Sequence, residues 1–263
     1  MQGDLRPFLY ALKIGTITNL FFVVHALTLP AEQRDPHLVV PGTVLFAVSA
    51  WRCFFPNRYE GNRVLHDTVL SSAFLTRVLA TFSEVAYVYF LAYALIRLDP
   101  VGRPGIQAIA IGMVLAATVS QGFVWTAILT GRYRLYVYEE IGWGLLFLGN
   151  TVGAAWLLAA GTSDDGSHLL LIMALVFGAG YLPWQAFHLR FLAKNAETQE
   201  AGPAPEVAAA SMADRVRAAL FVRERTTSSE SWGGIIGVTW MAAYWVLIIP
   251  VWMHVILRVL SEA

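Results

Sequence analysis

Seven segments of this chain each run for roughly 20 mostly apolar residues, the length that carries an α-helix across a hydrocarbon layer about 30 Å thick. They read as Phe8–Leu29, Val39–Phe55, Leu70–Leu98, Gly105–Thr130, Val137–Ala160, Leu169–Ala193 and Ile235–Leu260. Of the 263 residues 57% are hydrophobic and 14% charged, against about 25% charged in an ordinary soluble domain. So few charges cannot cover that much apolar surface in water. The sequence therefore predicts an all-α, polytopic membrane protein, one seven-helix bundle over residues 1–263. Pro30, Pro56, Pro100 and Pro104 fall at span ends, where a residue without an N–H breaks a helix. Pro183 and Pro250 fall inside spans and predict kinks. No small-residue cleavage site follows the first span, so it reads as an anchor rather than a signal peptide.

Lysine and arginine set the sidedness. Arg6, Lys13, Arg52, Arg58, Arg63, Arg132, Arg134, Arg190, Lys194, Arg215, Arg217, Arg223 and Arg225 gather on the N-terminal side of the spans. Only Arg34, Arg97, Arg103 and Arg258 lie on the other side. The expectation is a cytosolic N-terminus and an outside C-terminus. The segment 196–232 is then the longest cytosolic loop. Within it Glu206 to Arg225 has helical periodicity, with Val207, Met212, Val216, Ala219 and Leu220 on one face; it reads equally as a membrane-surface helix or a linker helix. This loop is the candidate contact for a protein partner.

Several chemistries are excluded by what is missing. Eighteen basic residues balance eighteen acidic ones, leaving no excess for nucleic acid. The single cysteine, Cys53, permits no intrachain disulfide. There is no histidine box, no paired-aspartate motif, no nucleotide loop and no Gly-x-Ser-x-Gly, and neither lysine suits a retinal Schiff base. No cofactor and no metal is read from the sequence. His25 and His254 are the one pair that raises haem ligation, and nothing in the sequence sets them face to face.

Ionisable residues inside spans are costly and mark candidate sites. The third span is richest. His66, Arg77, Thr81 and Glu84 fall on one stripe, with His66 and Asp67 at the helix start and Asp67 as its cap. Arg77 and Glu84, seven apart, are too distant for a local i,i+4 pair, so each is expected to find its partner elsewhere. In the fifth span Glu139 shares a stripe with Trp143 and Asn150, and its neighbour Glu140 points to another face, so one carboxylate is expected inside and Glu140 reads as an interfacial cap. Gly149-x-x-x-Gly153 allows a close helix contact. Gln121 and Trp125, Tyr181 and Gln185, and Trp240 and Tyr244 supply further polar or aromatic groups, and His188 reads as interfacial.

Under the expected topology most of these groups fall in the cytosolic half, a one-sided arrangement. The sequence favours an enzyme acting on a lipid or isoprenoid-like substrate, the membrane partner being a lipid or other hydrophobic small molecule. Its site would comprise Glu84 as acid or base, Arg77 as charge partner or anchor and Glu139 as second carboxylate. Gln121, Trp125, Trp143, Tyr181, Gln185, Trp240 and Tyr244 would bind substrate. Two other readings compete: a proton-coupled transporter using the same ionisable groups as a relay, and a non-catalytic sensor or assembly subunit in which Arg77 and Glu84 only fix helix register.

Overall fold

Prolines and short polar caps open the helices where the sequence places them. Pro7, Pro36 and Pro104 occupy first turns, where the missing N–H has no partner to lose. Asp35 accepts from the His37 amide at 2.9 Å, and Ser72 from the Leu75 amide at 3.3 Å. The computed structural model describes residues 3–161, 165–202 and 210–262. The membrane-length helices are α1 (Arg6–Thr28), α2 (Pro36–Phe54), α3 (Ala73–Arg97), α4 (Pro104–Thr130), α5 (Arg134–Ala159), α6 (Asp165–Glu200) and α8 (Gly234–Glu262), all seven long and apolar enough to cross a bilayer. A short helix, α7, spans Met212–Phe221.

Consecutive helices from α1 to α6 pack as antiparallel neighbours, and α8 returns against α1, α2, α3 and α6. The closest crossings fall at glycines: a Cβ on Gly142 would lie 1.8 Å from Ser120 Oγ of α4, and one on Gly178 would lie 2.0 Å from Thr151 Oγ1 of α5. Gly149 and Gly153 also serve close contact, with Met113 of α4 and Leu95 of α3. At 36 residues α6 is about 54 Å long, so it overshoots a bilayer. Its last turn meets the start of α5 through Arg134 and Glu200 (2.5 Å).

At Pro250 α8 follows a change of register. The preceding residues Ala243–Leu247 form a π turn. In i→i+5 register the Trp245 carbonyl would look to residue 250, which has no N–H. Asn19 of α1 replaces it, donating from Nδ2 to that carbonyl at 2.9 Å, and Cys53 Sγ lies 3.4 Å away. The π turn swings Tyr244 and Trp245 into the bundle, where both are buried.

Three loop segments are woven together on the N-terminal face. Strand β1 (Asn57–Arg58) pairs antiparallel with β2 (Arg63–Val64), which pairs in parallel with β3 (Glu224–Arg225). The Leu5 amide donates to Thr227 O at 2.8 Å, and Ser229 N to Gly3 O at 2.9 Å. This cap corrects one expectation: His66 and Asp67 are not on α3. That helix begins only at Ala73, behind a 3-10 turn at Val69–Ser71, because Ser72 rather than Asp67 supplies the cap. Asp67 instead accepts from Arg223 Nε at 3.0 Å, and His66 packs among Tyr10, Phe54 and Phe55. Of the periodic stretch Glu206–Arg225, the helix covers Met212–Phe221 and packs on α3 and α4; Val207 lies outside the described residues.

On the opposite face Asp35 clasps two helices, accepting from Tyr93 Oη at 2.7 Å and from Arg97 Nη1 at 2.8 Å. Between the faces the half nearer Asp35 is packed with side chains such as Leu91, Leu95, Leu171, Trp252 and Ile256 around a gap of about 20 Å³ beside Asn150, and a second cavity of about 190 Å³ opens at its end among His25, Gln33, Arg258 and Glu262.

Candidate functional site

Arg77 is the centre of the N-terminal half. It is 1% exposed, and its guanidinium is held from three helices. Nη2 donates to Glu84 Oε2 and to Gln121 Oε1, both at 2.5 Å, and Nε to Thr81 Oγ1 at 3.4 Å. Nη1 stands 4.0 Å from Glu139 Oε1. Gln121 closes the triangle by donating from Nε2 to Glu84 Oε2 at 3.1 Å. Arg77 and Glu84 thus pair directly, contrary to the expectation from their spacing. Two turns separate them by about 10 Å along the axis. The long arginine stem reaches up while the glutamate leans back toward the helix N-terminus, as helical side chains do, and together they span it.

A second guanidinium completes the cluster. Arg52, in the last turn of α2, is 9% exposed, and its Nη1 lies 3.6 Å from Glu84 Oε1. It stacks over Trp245 at 4.5 Å. The Tyr59 ring stands between the two arginines, 5.9 Å from the guanidinium of Arg52 and 5.8 Å from that of Arg77. Asn57 fixes this loop: its Nδ2 contacts Ser71 O, Ser72 O and Thr76 Oγ1 at 2.7–3.2 Å.

These groups form one end of a cavity of about 200 Å³. Arg52, Tyr59, Arg77, Glu84 and Glu139 line that end; Phe191, Leu192, Ile236, Trp240 and Met241 line the other, between α6 and α8. A layer of rings closes it toward the opposite face. Tyr87, one turn above Glu84, sits 6.4 Å from Trp143 and from Tyr244, and Trp143 meets Tyr244 edge-on at 6.2 Å. The cavity thus joins a charged end to an apolar end.

The residues singled out by sequence divide into three groups. Glu84, Arg77, Glu139, Trp143, Trp240 and Tyr244 share the cavity wall. Gln121 and Trp125 support it from behind, Trp125 Nε1 donating to Thr81 Oγ1 at 2.9 Å. Tyr181 and Gln185 are not on the wall. Tyr181 packs on Phe147 and Phe177, and Gln185 Nε2 donates to Glu140 Oε2 at 2.8 Å.

Two further expectations are corrected here. Both Glu139 and Glu140 enter the bundle and line the cavity, because α5 lies between α4 and α6 and both faces are covered. Likewise His188 is buried on the wall, 3.8 Å from Glu140, rather than at an interface. His25 and His254 do face each other, with ring centroids 4.8 Å apart, but Phe22 stacks on His254 at 4.2 Å, so protein rings occupy the seam. Among the described residues no group of three or more His, Cys, Asp or Glu is placed to hold a metal ion.

Sequence reading missed Arg52, Tyr59, Tyr87 and Asn19. For Arg52 a signal existed: with Leu45 and Ser49 it continues the buried stripe of α2. Asn19 was legible as the one amide in an apolar first span. Tyr59 belongs to a loop, and no periodicity places it.

The fold and site together define a seven-helix membrane protein with a charged cavity buried near one end of the bundle. Comparison with known protein families, with curated proteins and with solved structures finds no match.

Proposed function

We propose that this protein is a multi-pass membrane enzyme, its N-terminus in the cytosol, that carries out acid/base chemistry on a lipid or isoprenoid-like molecule. One observation carries the reading. Two buried carboxyl groups, Glu84 and Glu139, flank one guanidinium at the charged end of an aromatic cavity. Burial of ionisable groups at such expense is the mark of a site rather than of packing alone. Two arginines flank Glu84, the acid or base of the pair, and Glu139 supplies the second carboxyl. A proton delivered by one and removed by the other moves a double bond or closes a ring in the bound molecule, with no net change in its atoms. The faces of Trp143, Trp240 and Tyr244 are suited to a transient positive charge in the chain. The ring layer of Tyr87, Trp143 and Tyr244 that ends the charged cavity favours this reading over transport, which needs a polar path through the full thickness.

The test is mass spectrometry of small molecules that copurify with the protein in nanodiscs, run beside Glu84→Gln and Arg77→Ala. The expected result is a specific apolar or amphiphilic compound that is depleted or chemically altered in the variants. An identical profile of bulk lipid in all three proteins, with the variants merely less stable, would overturn it.

A further inference from the structure

The two ends of the cavity and the gap beside it say more about what enters. The first turns of α8, Gly234–Ala242, pack less closely on the neighbouring helix backbones than the rest of α8, which packs on α2 and α6. Side chains bridge the space: Trp240 meets Trp184 at 5.0 Å and His188 at 5.9 Å. Phe187 and Ile235 beside it face outward and are exposed. The apolar end of the cavity therefore faces the flank of the bundle, at a level where an inner lipid leaflet would lie.

At the charged end two donors are unfinished. Arg52 Nε is sealed from water and has no hydrogen-bond partner, although the same side chain is paired through Nη1. Tyr244 Oη is also buried without a partner. A buried donor left without an acceptor is costly. Both side chains stand on the cavity wall. What answers this set is an acceptor bearing negative charge.

We infer that the cavity admits a single-chain amphiphile sideways between α6 and the start of α8, its oxyanion headgroup seated against Arg52 and Tyr244. This rests on the enzyme reading for the site and narrows its substrate class. Its chain then lies along Trp240 and Phe191 toward the lipid. The chemistry of recognition is shared by a carboxylate and a phosphate ester, and the probes below separate them.

The experiment uses the full chain in nanodiscs and follows quenching of tryptophan fluorescence by a dibrominated fatty acid, since Trp143, Trp232, Trp240 and Trp245 all line the cavity. Unbrominated acid should displace the saturable part of the quenching, which separates the site from bulk lipid. Removal of one charge-assisted contact weakens binding about tenfold or more, and that is the loss expected for Arg52→Gln. Should Arg52→Gln fail to fold, Tyr244→Phe deletes only the hydroxyl and should also weaken binding. The alkyl phosphate of the same chain competing better than the acid assigns a phosphate headgroup; the acid competing better assigns a carboxylate. Saturable quenching unchanged in Arg52→Gln and in Tyr244→Phe, or a fatty alcohol that competes as well as the acid, would overturn the inference. Glu84→Gln separates the two proposals: it should bind the acid at least as well as the parent protein while chemistry stops. Chemistry confined to compounds without an acidic headgroup would sink the anchor and leave the enzyme reading standing.

Discussion

The two halves of this bundle are cut from the same helices and differ in what fills them. Toward the N-terminal face α2, α3, α4 and α5 converge on Arg52, Arg77, Glu84, Gln121 and Glu139, with a cavity beside them. Toward the other face α3, α5, α6 and α8 converge on leucine, tryptophan and isoleucine around a gap of about 20 Å³, with a second cavity of about 190 Å³ beyond it at the ends of α1 and α8. In lipid there is little hydrophobic drive between helices, so close packing and polar contacts hold them together. The half nearer Asp35 relies more on the first, and the N-terminal half adds the second through its charge cluster. The half that gives up packing for a charged cavity is the one with the means to act on a molecule.

The largest effect should come from breaking the charge cluster. Arg77→Ala leaves Glu84 to Arg52 and Gln121 and takes the guanidinium from beside Glu139, and removal of one member of a buried pair costs about 3–5 kcal/mol. Unfolding in mixed micelles should show that loss, and Arg77→Met combined with Glu84→Gln should recover much of it. Equal losses in the single and double variants would show that the guanidinium acts through its stem and not its charge.

Next is the seam between α1 and the π turn. Asn19→Leu strips the Trp245 carbonyl of its Nδ2 donor, an expected loss of about 1–3 kcal/mol. Pro250→Ala supplies a backbone N–H at the position the π register calls for, so the double variant should be less damaged than Asn19→Leu alone. If Pro250→Ala gives no relief, the proline does not explain the register.

A matched pair of amide deletions then compares the halves directly. Gln121→Leu removes contacts to both Arg77 and Glu84 and should destabilise by about 1–3 kcal/mol. Asn150→Leu removes an amide whose Nδ2 has no partner and adds apolar bulk beside a void. It should be neutral or stabilising by up to about 1 kcal/mol. Thermal melts of the two variants in one detergent measure the contrast, and equal losses would break it.

Much of this division was legible in the sequence, and the reason is periodicity. Spans are set by length and hydropathy, and the stripe Arg77, Thr81, Glu84 follows from 3.6 residues per turn. What periodicity does not encode is reach and convergence. The direct Arg77–Glu84 pair depends on a stem long enough to cross two turns. The joint burial of Glu139 and Glu140 depends on α5 being covered on two sides, which is a matter of helix order. Arg52 was hidden by its location in the sequence. At a span end it counts as a loop cation by the positive-inside rule, and only the cap of residues 57–64 above it turns it inward. His66 shows the opposite error, a residue placed on a helix that had not yet begun.

The smallest effect tests the clasp that closes the outer half. Burial works against a charged Asp35, but the Tyr93 hydroxyl, the His37 amide and Arg97 outweigh it and hold the carboxyl below its ordinary value of 3.8. A group lowered in the folded state binds its proton more readily once unfolded, so its contribution is complete well above pH 3.8 and is lost as the pH falls through the folded value. Melting temperature followed from pH 6 down to about 3 should therefore decline in the parent protein. In Asp35→Asn it should start lower, by about 0.5–1 kcal/mol, and decline less. Its partners His37, Tyr93 and Arg97 all stand at that face, so binding of the dibrominated acid at pH 7 should not change. A variant that loses binding there would mean that the two halves are coupled, and that the packed outer half does more than close the bundle.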